Sequence, residues 1–262
     1  MKRSENREYS KLARIYDSVM DDVDYESWAD FIDEIIQTHR PEAKTILELA
    51  CGTGSIALSL DELMCYEIVA TDKSPEMVET ARNKAERERS RVEFRVMDFL
   101  DIDLDRRYDI VLSTFDSINY LQRPEDILRL FEEVKKVLDP EGLFIFDFTT
   151  PKNSIQAIQY LNNEEGYAAD HYRFFRKSRY NPDERIHYNI FDIEKLDADE
   201  ETVLERYHEV HEQKIYTLRE MLDIVGRTDY RLIAKYDGFD LVDADETSLR
   251  ITMVLQCPKI RS

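Results

Sequence analysis

The residues of this chain best placed to do chemistry are an acid, two glycines and a second acid in close succession. In TILELACGTGSIA, residues 45–57, a short apolar run (Ile46, Leu47, Leu49) leads into Gly52 and Gly54, and an apolar helical pattern starts at Ser55. The chain has only 6 glycines, and two of them stand here. Without a Cβ, such a turn lets a ligand approach the backbone closely. The helix that follows points its free N–H groups and positive dipole end at whatever the turn holds. Read as Gly52-x-Gly54-x-x-Ala57 with Asp72 downstream, the stretch satisfies a dinucleotide fingerprint. Glu48 argues the other way. A carboxylate at the end of an otherwise apolar strand repels a phosphate and holds an ammonium or sulfonium group.

Other polar residues fall at comparable places. Asp98 stands between Met97 and Phe99 after a third strand pattern, and Asp116-Ser117-Ile118-Asn119-Tyr120 follows a fourth. Glu48, Asp72 and Asp98 thus sit at strand carboxyl ends, where open α/β sheets bind ligands. His208 and His211, with Glu209 and Glu212 beside them, suggest a metal. Residues three apart on a strand face opposite ways, so both are expected as surface histidines and no metal site is expected. No Ser/His/Asp or Cys/His arrangement stands out.

Alternating strands and helices must position these residues. Apolar spacing predicts helices over 9–20 and 28–36 before the first strand. Tyr16 on the first of these reads either as an aromatic lid over the pocket or as one more apolar contact of that helix. Strands at 66–71, 92–96, 108–113 and 143–148 alternate with helices starting at Ser74-Pro75 and Pro124. That order predicts an α/β fold, a doubly wound, mostly parallel sheet with helices on both faces. After residue 150 the pattern changes. A short helix at 154–161 precedes three segments of period-two alternation, 168–180, 185–196 and 202–213, which read as an inserted antiparallel sheet. A helix at 217–225 and strands near 230–236 and 248–257 close the chain.

Composition narrows the function. The formal charge of −20 and a sequence pI near 4.7 disfavour nucleic acid as a partner. The best basic cluster, Arg173, Arg176, Lys177 and Arg179, reads as a half-buried strand with a charged outer face. No apolar run approaches a membrane span, and the opening MKRSENREYS lacks the apolar core of a signal peptide, so a cytoplasmic protein without membrane contact is expected. Cys51, Cys65 and Cys257 are odd in number without metal-like spacing, and reduced structural thiols are expected.

Glu48-x-x-x-Gly52-x-Gly54 followed by Asp72 resembles motif I and its partner acid in the class I S-adenosylmethionine-dependent methyltransferases. Position 50 is alanine where many members have glycine. The resemblance covers roughly residues 45–150 and 215–257 and implies a Rossmann-like, seven-stranded sheet with an antiparallel closing hairpin. By it, residues 1–150 and 214–262 form the cofactor domain with N-terminal lid helices. Residues 151–213 form an insert for substrate binding or dimerisation. It implies S-adenosylmethionine as cofactor, with Glu48 near the methionine part, Asp72 on the ribose hydroxyls and Asp98 at the adenine between Met97 and Phe99. Tyr16, Ala50, Cys51, Gly52, Thr53, Gly54, Lys73, Met77, Thr114 and Phe115 complete the implied cofactor contacts. Asp116, Tyr16 and Tyr120 are the candidates beside the transferable methyl. The chain is similar to the glycine/sarcosine and amino-sugar N-methyltransferases, which implies methyl transfer to nitrogen or oxygen of a small molecule. A homodimer paired through the insert is a further expectation. Two alternatives stay open, a non-catalytic S-adenosylmethionine-binding module and an NAD(P)-dependent oxidoreductase.

Overall fold

The computed structural model describes residues 12–168 and 170–259. A 3-10 turn, Leu12–Arg14, and a one-turn helix α1, Tyr16–Val19, replace the single helix predicted over 9–20. Residues 9–11 and the opening MKRSENREYS lie outside the described residues. The helical run is interrupted at Ile15, at φ −114° and ψ 0°, and Asp17 just beyond it takes a hydrogen bond from Thr53 and an ion pair from Lys84. Helix α2, Tyr25–His39, starts on Asp24, whose side chain accepts the Ser27 N–H at 2.9 Å. It buries Trp28, Phe31, Ile32, Ile35 and Ile36.

The main sheet alternates as expected through β1 (Thr45–Leu49), α3 (Ser55–Glu62), β2 (Glu67–Asp72), α4 (Pro75–Glu88), β3 (Glu93–Val96), β4 (Tyr108–Ser113), α5 (Pro124–Val137) and β5 (Leu138–Thr149). Strand β5 begins earlier than the apolar pattern indicates. Tyr108 pairs with Leu138 and Ile110 with Leu143, so residues 139–142 bulge out opposite Asp109 rather than ending the strand. Cys257 anchors the bulge, donating its N–H to Gly142 and accepting that of Glu141.

Helix α6 (Pro151–Leu161) leads to a second sheet of β6 (Glu164–Ala168), β7 (Tyr172–Asn181), β8 (Ile186–Leu196) and β9 (Val203–Lys214), all antiparallel in that order. The sequence indicated three of these strands. The fourth, β6, reads Glu-Glu-Gly-Tyr-Ala with no apolar alternation, and its Gly166 lies opposite the Phe174 ring, where a Cβ would come within 2.8 Å of that ring. The chain ends through α7 (Leu218–Val225), β10 (Arg231–Asp237), β11 (Asp240–Asp243) and β12 (Arg250–Gln256). The main sheet runs β11-β10-β12-β5-β4-β1-β2-β3. The expected seven strands gain an eighth, β11, a short edge partner of β10 reached through Gly238 at φ +61°.

Alternation sends side chains to two cores. Leu47, Leu49 and Val111 join α5 and α7 on one face, while Ile46, Ile110 and Leu112 join α2, α3 and α4 on the other. Helix α5 buries Ile127, Leu130, Phe131, Val134 and Val137, each worth roughly 1.5 to 3 kcal/mol. A third cluster packs Leu12, Ile15 and Val19 on Tyr172, Phe174, Phe191 and Ile193 of the second sheet. The N-terminal segment therefore roofs the space between the two sheets.

Candidate active site

Strand β1 delivers Glu48 to the face that Ile46 shares with α2, α3 and α4, 2 % exposed, and its Oε2 has no hydrogen-bond partner among the described residues. A buried carboxylate oxygen left alone is costly unless a ligand pairs with it. Burial, and then nearby Asp72, push the Glu48 pKa up to about 8. The turn that follows is built from positive-φ residues: Ala50 at 55°, Gly52 at 56° and Gly54 at 79°. Ala50 holds a conformation that favours glycine, at a cost of roughly 1 to 2 kcal/mol. Gly54 has a steric reason too, since a Cβ there would meet the Phe94 ring at 2.5 Å.

Asp72, at the end of β2, has a structural duty that its sequence position did not reveal. Its Oδ2 accepts the Gly52 N–H at 3.0 Å and its Oδ1 the Ser74 N–H at 2.8 Å, tying the glycine turn to the start of α4. A carboxylate has about four lone-pair sites, so each oxygen keeps one for a ligand hydroxyl. Burial raises its pKa, with the two backbone donors acting against the shift. Asp98 sits in a turn of its own, accepting the Leu100 N–H at 2.8 Å.

One cavity opens over these strand ends. It is lined by every residue expected to contact the cofactor except Gly54, which lies beneath the turn against Phe94. Tyr25, Ser55, Ile56 and Ser117 line it as well, beyond the expected cofactor contacts. Asp116 does not line this cavity. It lines a second one, between the N-terminal segment and the inner face of the inserted sheet, and Tyr16, Phe115 and Tyr120 line both. The two spaces therefore meet at an aromatic junction. Burial holds the Tyr16 phenol well above its ordinary pKa, so it stays protonated.

Phe115 and Asp116 both take left-handed backbone, φ 60° and 51°, and a partly buried ion network holds that corner. Arg250 at the start of β12 donates from Nη2 to Asp116 Oδ1 at 2.6 Å and from Nη1 to Asp147 Oδ2. Asp147, fully buried on β5, also accepts the Asp116 N–H at 3.1 Å. Gln213 of β9 donates to Asp116 Oδ2 at 2.5 Å. The Arg250 guanidinium lies 5.4 Å from the Trp28 ring and 5.5 Å from that of Phe115. Burial raises the Asp147 pKa while Arg250 opposes it. Asn119 fixes the next residues, donating to the Lys214 carbonyl at 2.7 Å and accepting the Thr149 N–H at 3.0 Å.

The histidines divide. His208 is exposed and pairs with Asp192 at 2.7 Å, as expected of a surface residue. His211 is not a surface residue. It is 2 % exposed and lines the second cavity beside Tyr120, because odd-numbered residues of β9 face inward there. The basic cluster divides the same way. Arg173 and Arg179 stay outside, paired with Glu194 and stacked on Tyr188, while Arg176 turns in to the second cavity. Cys51 and Cys257 are buried, Cys65 is exposed, and all three are free thiols. Among the described residues no helix is long and apolar enough to cross a membrane.

Residues 46–142 match the family model of a methyltransferase domain. The putative methyltransferase YqeM of Bacillus subtilis is 35 % identical over 140 residues, 53 % of this chain and 54 % of that protein. A dTDP-3-amino-3,4,6-trideoxy-alpha-D-glucopyranose N,N-dimethyltransferase of Streptomyces venezuelae is 27 % identical over 124 residues, 47 % of this chain and 50 % of that protein. The chain thus spans about half the length of the curated relatives it matches. Likeness in structure extends further. An S-adenosylmethionine-dependent methyltransferase from Clostridium acetobutylicum superposes with a TM-score of 0.76 at 25 % identity, over 95 % of this chain and 99 % of that one. The sugar N-methyltransferase KedS8 from Streptoalloteichus shares the fold, with a TM-score of 0.71 at 18 % identity over 97 % and 98 % of the two chains.

Proposed function

We propose that this chain, an S-adenosylmethionine-dependent methyltransferase of class I by domain and by fold, transfers a methyl group to nitrogen or oxygen of a small-molecule acceptor. The observation that carries the proposal is the orphaned, buried Glu48 oxygen at the mouth of the glycine turn, with Asp72 and Asp98 at the next two strand ends. That set fits S-adenosylmethionine. Glu48 would hold its ammonium group, the remaining lone pairs of Asp72 its ribose hydroxyls, and Met97, Asp98 and Phe99 its adenine. A nicotinamide dinucleotide would instead set its pyrophosphate against the Glu48 carboxyl.

The bound cofactor supplies a methyl made electrophilic by its sulfonium. The chain's own residues supply alignment and dryness. Tyr16, Phe115 and Tyr120, which line both cavities, surround the point of transfer with aromatic faces. Asp116, fixed by Arg250 and Gln213, offers its remaining lone pairs to an acceptor N–H or O–H and so orients the nucleophile. The inserted sheet, residues 151–213, serves as the acceptor-binding part attached to a cofactor domain of residues 1–150 and 214–262. In this reading the reaction takes place in the cytoplasm without nucleic acid as acceptor, and the insert also pairs two chains. Incubation with methyl-labelled S-adenosylmethionine and a fractionated metabolite pool should label a small molecule. Cofactor binding with no labelled product in any fraction would reduce the chain to a binding module.

Glu48 gives the proposal a pH signature. With its pKa near 8, the free carboxyl is mostly protonated at pH 7, and a cationic amine beside it draws the pKa down. Binding of S-adenosylhomocysteine at pH 7 should therefore release close to one proton, seen by calorimetry in buffers of different ionisation enthalpy. Affinity should fall by up to about tenfold per pH unit as pH drops below 8. In the ligand-free protein the sign is reversed. A pKa raised above the unfolded value contributes stability that is complete below about pH 4.5 and lost as pH rises through about 8. Glu48→Gln should flatten both dependences, and unchanged proton release in that variant would refute this role.

A further inference from the structure

Phe239 is 46 % exposed among the described residues, a large apolar side chain at a hairpin tip, where polar residues are usual. It is the second residue of the two-residue turn between β10 and β11, and Gly238 before it supplies, at φ +61°, the positive φ that such a turn demands. The turn itself makes no demand for an aromatic ring at 239. The neighbours of that ring do. It meets Trp28 edge-on, centroids 4.7 Å apart at 83°, and Phe31 at 5.7 Å. Tyr25, Trp28 and Phe31 stand three apart on α2 and so share one side of it. Tyr25 and Trp28 in turn meet the Phe115 ring, with centroids 6.1 Å and 5.6 Å away. The tip reaches the same corner by a second route, since the Gly238 N–H donates at 3.0 Å to the carbonyl of Arg250, the residue that clamps Asp116. Phe115 lines both cavities, whereas Trp28 and Phe239 line neither. Phe115 also stands in left-handed backbone, which a bulky residue keeps only where its surroundings over-determine it.

We propose that Phe239 is a positioning residue: through Trp28 it fixes the Phe115 ring where the cofactor and acceptor spaces meet. This rests on the proposed function, which gives that junction its role, and adds to it a part of the chain outside both cavities. An edge-on aromatic pair favours one separation and one tilt, so Phe239 holds the indole in a single orientation against Phe115. Without Phe239 the indole gains room to turn, water reaches it, and Phe115 loses a fixed partner. The eighth strand of the main sheet thereby has a task. Strand β11 pairs with β10 at Tyr236–Asp243 and Asp237–Asp240 and holds the tip over α2.

Trp28 is the single tryptophan of the chain, so its emission reports the contact without a label. In the ligand-free full chain, Phe239→Ala should move that emission to longer wavelength and raise its quenching by acrylamide. Phe239→Leu, which keeps an apolar side chain on the indole, should restore part of both. Calorimetry should show S-adenosylhomocysteine bound about two- to tenfold more weakly by Phe239→Ala, the worth of one aromatic pair. Val242→Ala, at a position 61 % exposed on the same hairpin, should change neither emission nor affinity. The deciding measurement repeats Phe239→Ala in a Phe115→Ala background, where the affinity loss should shrink to less than about twofold because the residue it acts through is gone. Should Phe115→Ala fail to fold, Phe115→Leu supplies the background. The inference is overturned if Phe239→Ala leaves emission or affinity as in the wild type, if Val242→Ala acts as strongly, or if the loss is the same in both backgrounds. If the wild type binds no S-adenosylhomocysteine, the proposed function falls and this inference with it. If the wild type and Phe239→Ala bind that ligand equally, the inference alone falls.

Discussion

Asp72→Ala should weaken S-adenosylhomocysteine binding on the order of 30- to 1000-fold. Two charge-assisted hydrogen bonds to the ribose are lost, each worth roughly 1.5 to 3 kcal/mol and not additive, so the net is about 2 to 4 kcal/mol. The structure adds a second cost. Asp72 also accepts the Gly52 and Ser74 N–H groups, so the ligand-free variant should lose about 1 to 2 kcal/mol of stability. Asp72→Asn separates the two effects. Its carbonyl oxygen can keep one backbone bond, and its affinity loss should be smaller than that of the alanine variant. If Asp72→Ala melts earlier yet binds with unchanged affinity, the carboxylate is a turn brace only, and the ribose sits elsewhere.

Arg250→Met should have the largest effect on stability. Removing one partner from a buried ion pair leaves the other uncompensated, at about 3 to 5 kcal/mol, and the partial exposure of Arg250 and Asp116 puts this network toward the lower end. Here Asp147, fully buried, and Asp116 would be left facing each other without the guanidinium between them. Melting should fall by on the order of 10 °C for a chain of this size. Methyl transfer should fall as well, because the left-handed Phe115–Asp116 corner loses its clamp. Adding Asp147→Asn should restore part of the stability by removing the stranded charge. A double variant no more stable than Arg250→Met would contradict this electrostatic account of the corner.

The sequence announced the cofactor side more clearly than the acceptor side, and the reason is physical. Glu48 stands out because a charge interrupts an apolar strand, and the glycines stand out because the chain has so few. Asp147 carried the same signal, a lone acid within the apolar run of residues 143–148, and could have been found by the same reasoning. Arg250 could not, since a charged residue at the first position of a strand usually faces solvent. Arg176 was hidden by phase. Residues 173–180 alternate arginine and aromatic types irregularly, and only pairing with β8 shows which face is inward. His211 was misplaced for a related reason. The three-residue spacing correctly separated it from His208 but did not say which of the two faces inward. Strands β6 and β11 lack alternation of their own and exist because a neighbouring strand offers its edge.

Calorimetry and thermal melting of the wild-type chain with S-adenosylhomocysteine, compared with NAD and NADP, test the central claim most directly. S-adenosylhomocysteine at a hundred times its Kd should stabilise the fold by about 2.7 kcal/mol, a rise of roughly 5 to 11 °C in melting temperature. NAD and NADP should shift nothing, since the Glu48 carboxyl meets the place where their pyrophosphate would lie. Stabilisation by either dinucleotide, with none by S-adenosylhomocysteine, would contradict the assignment of the site.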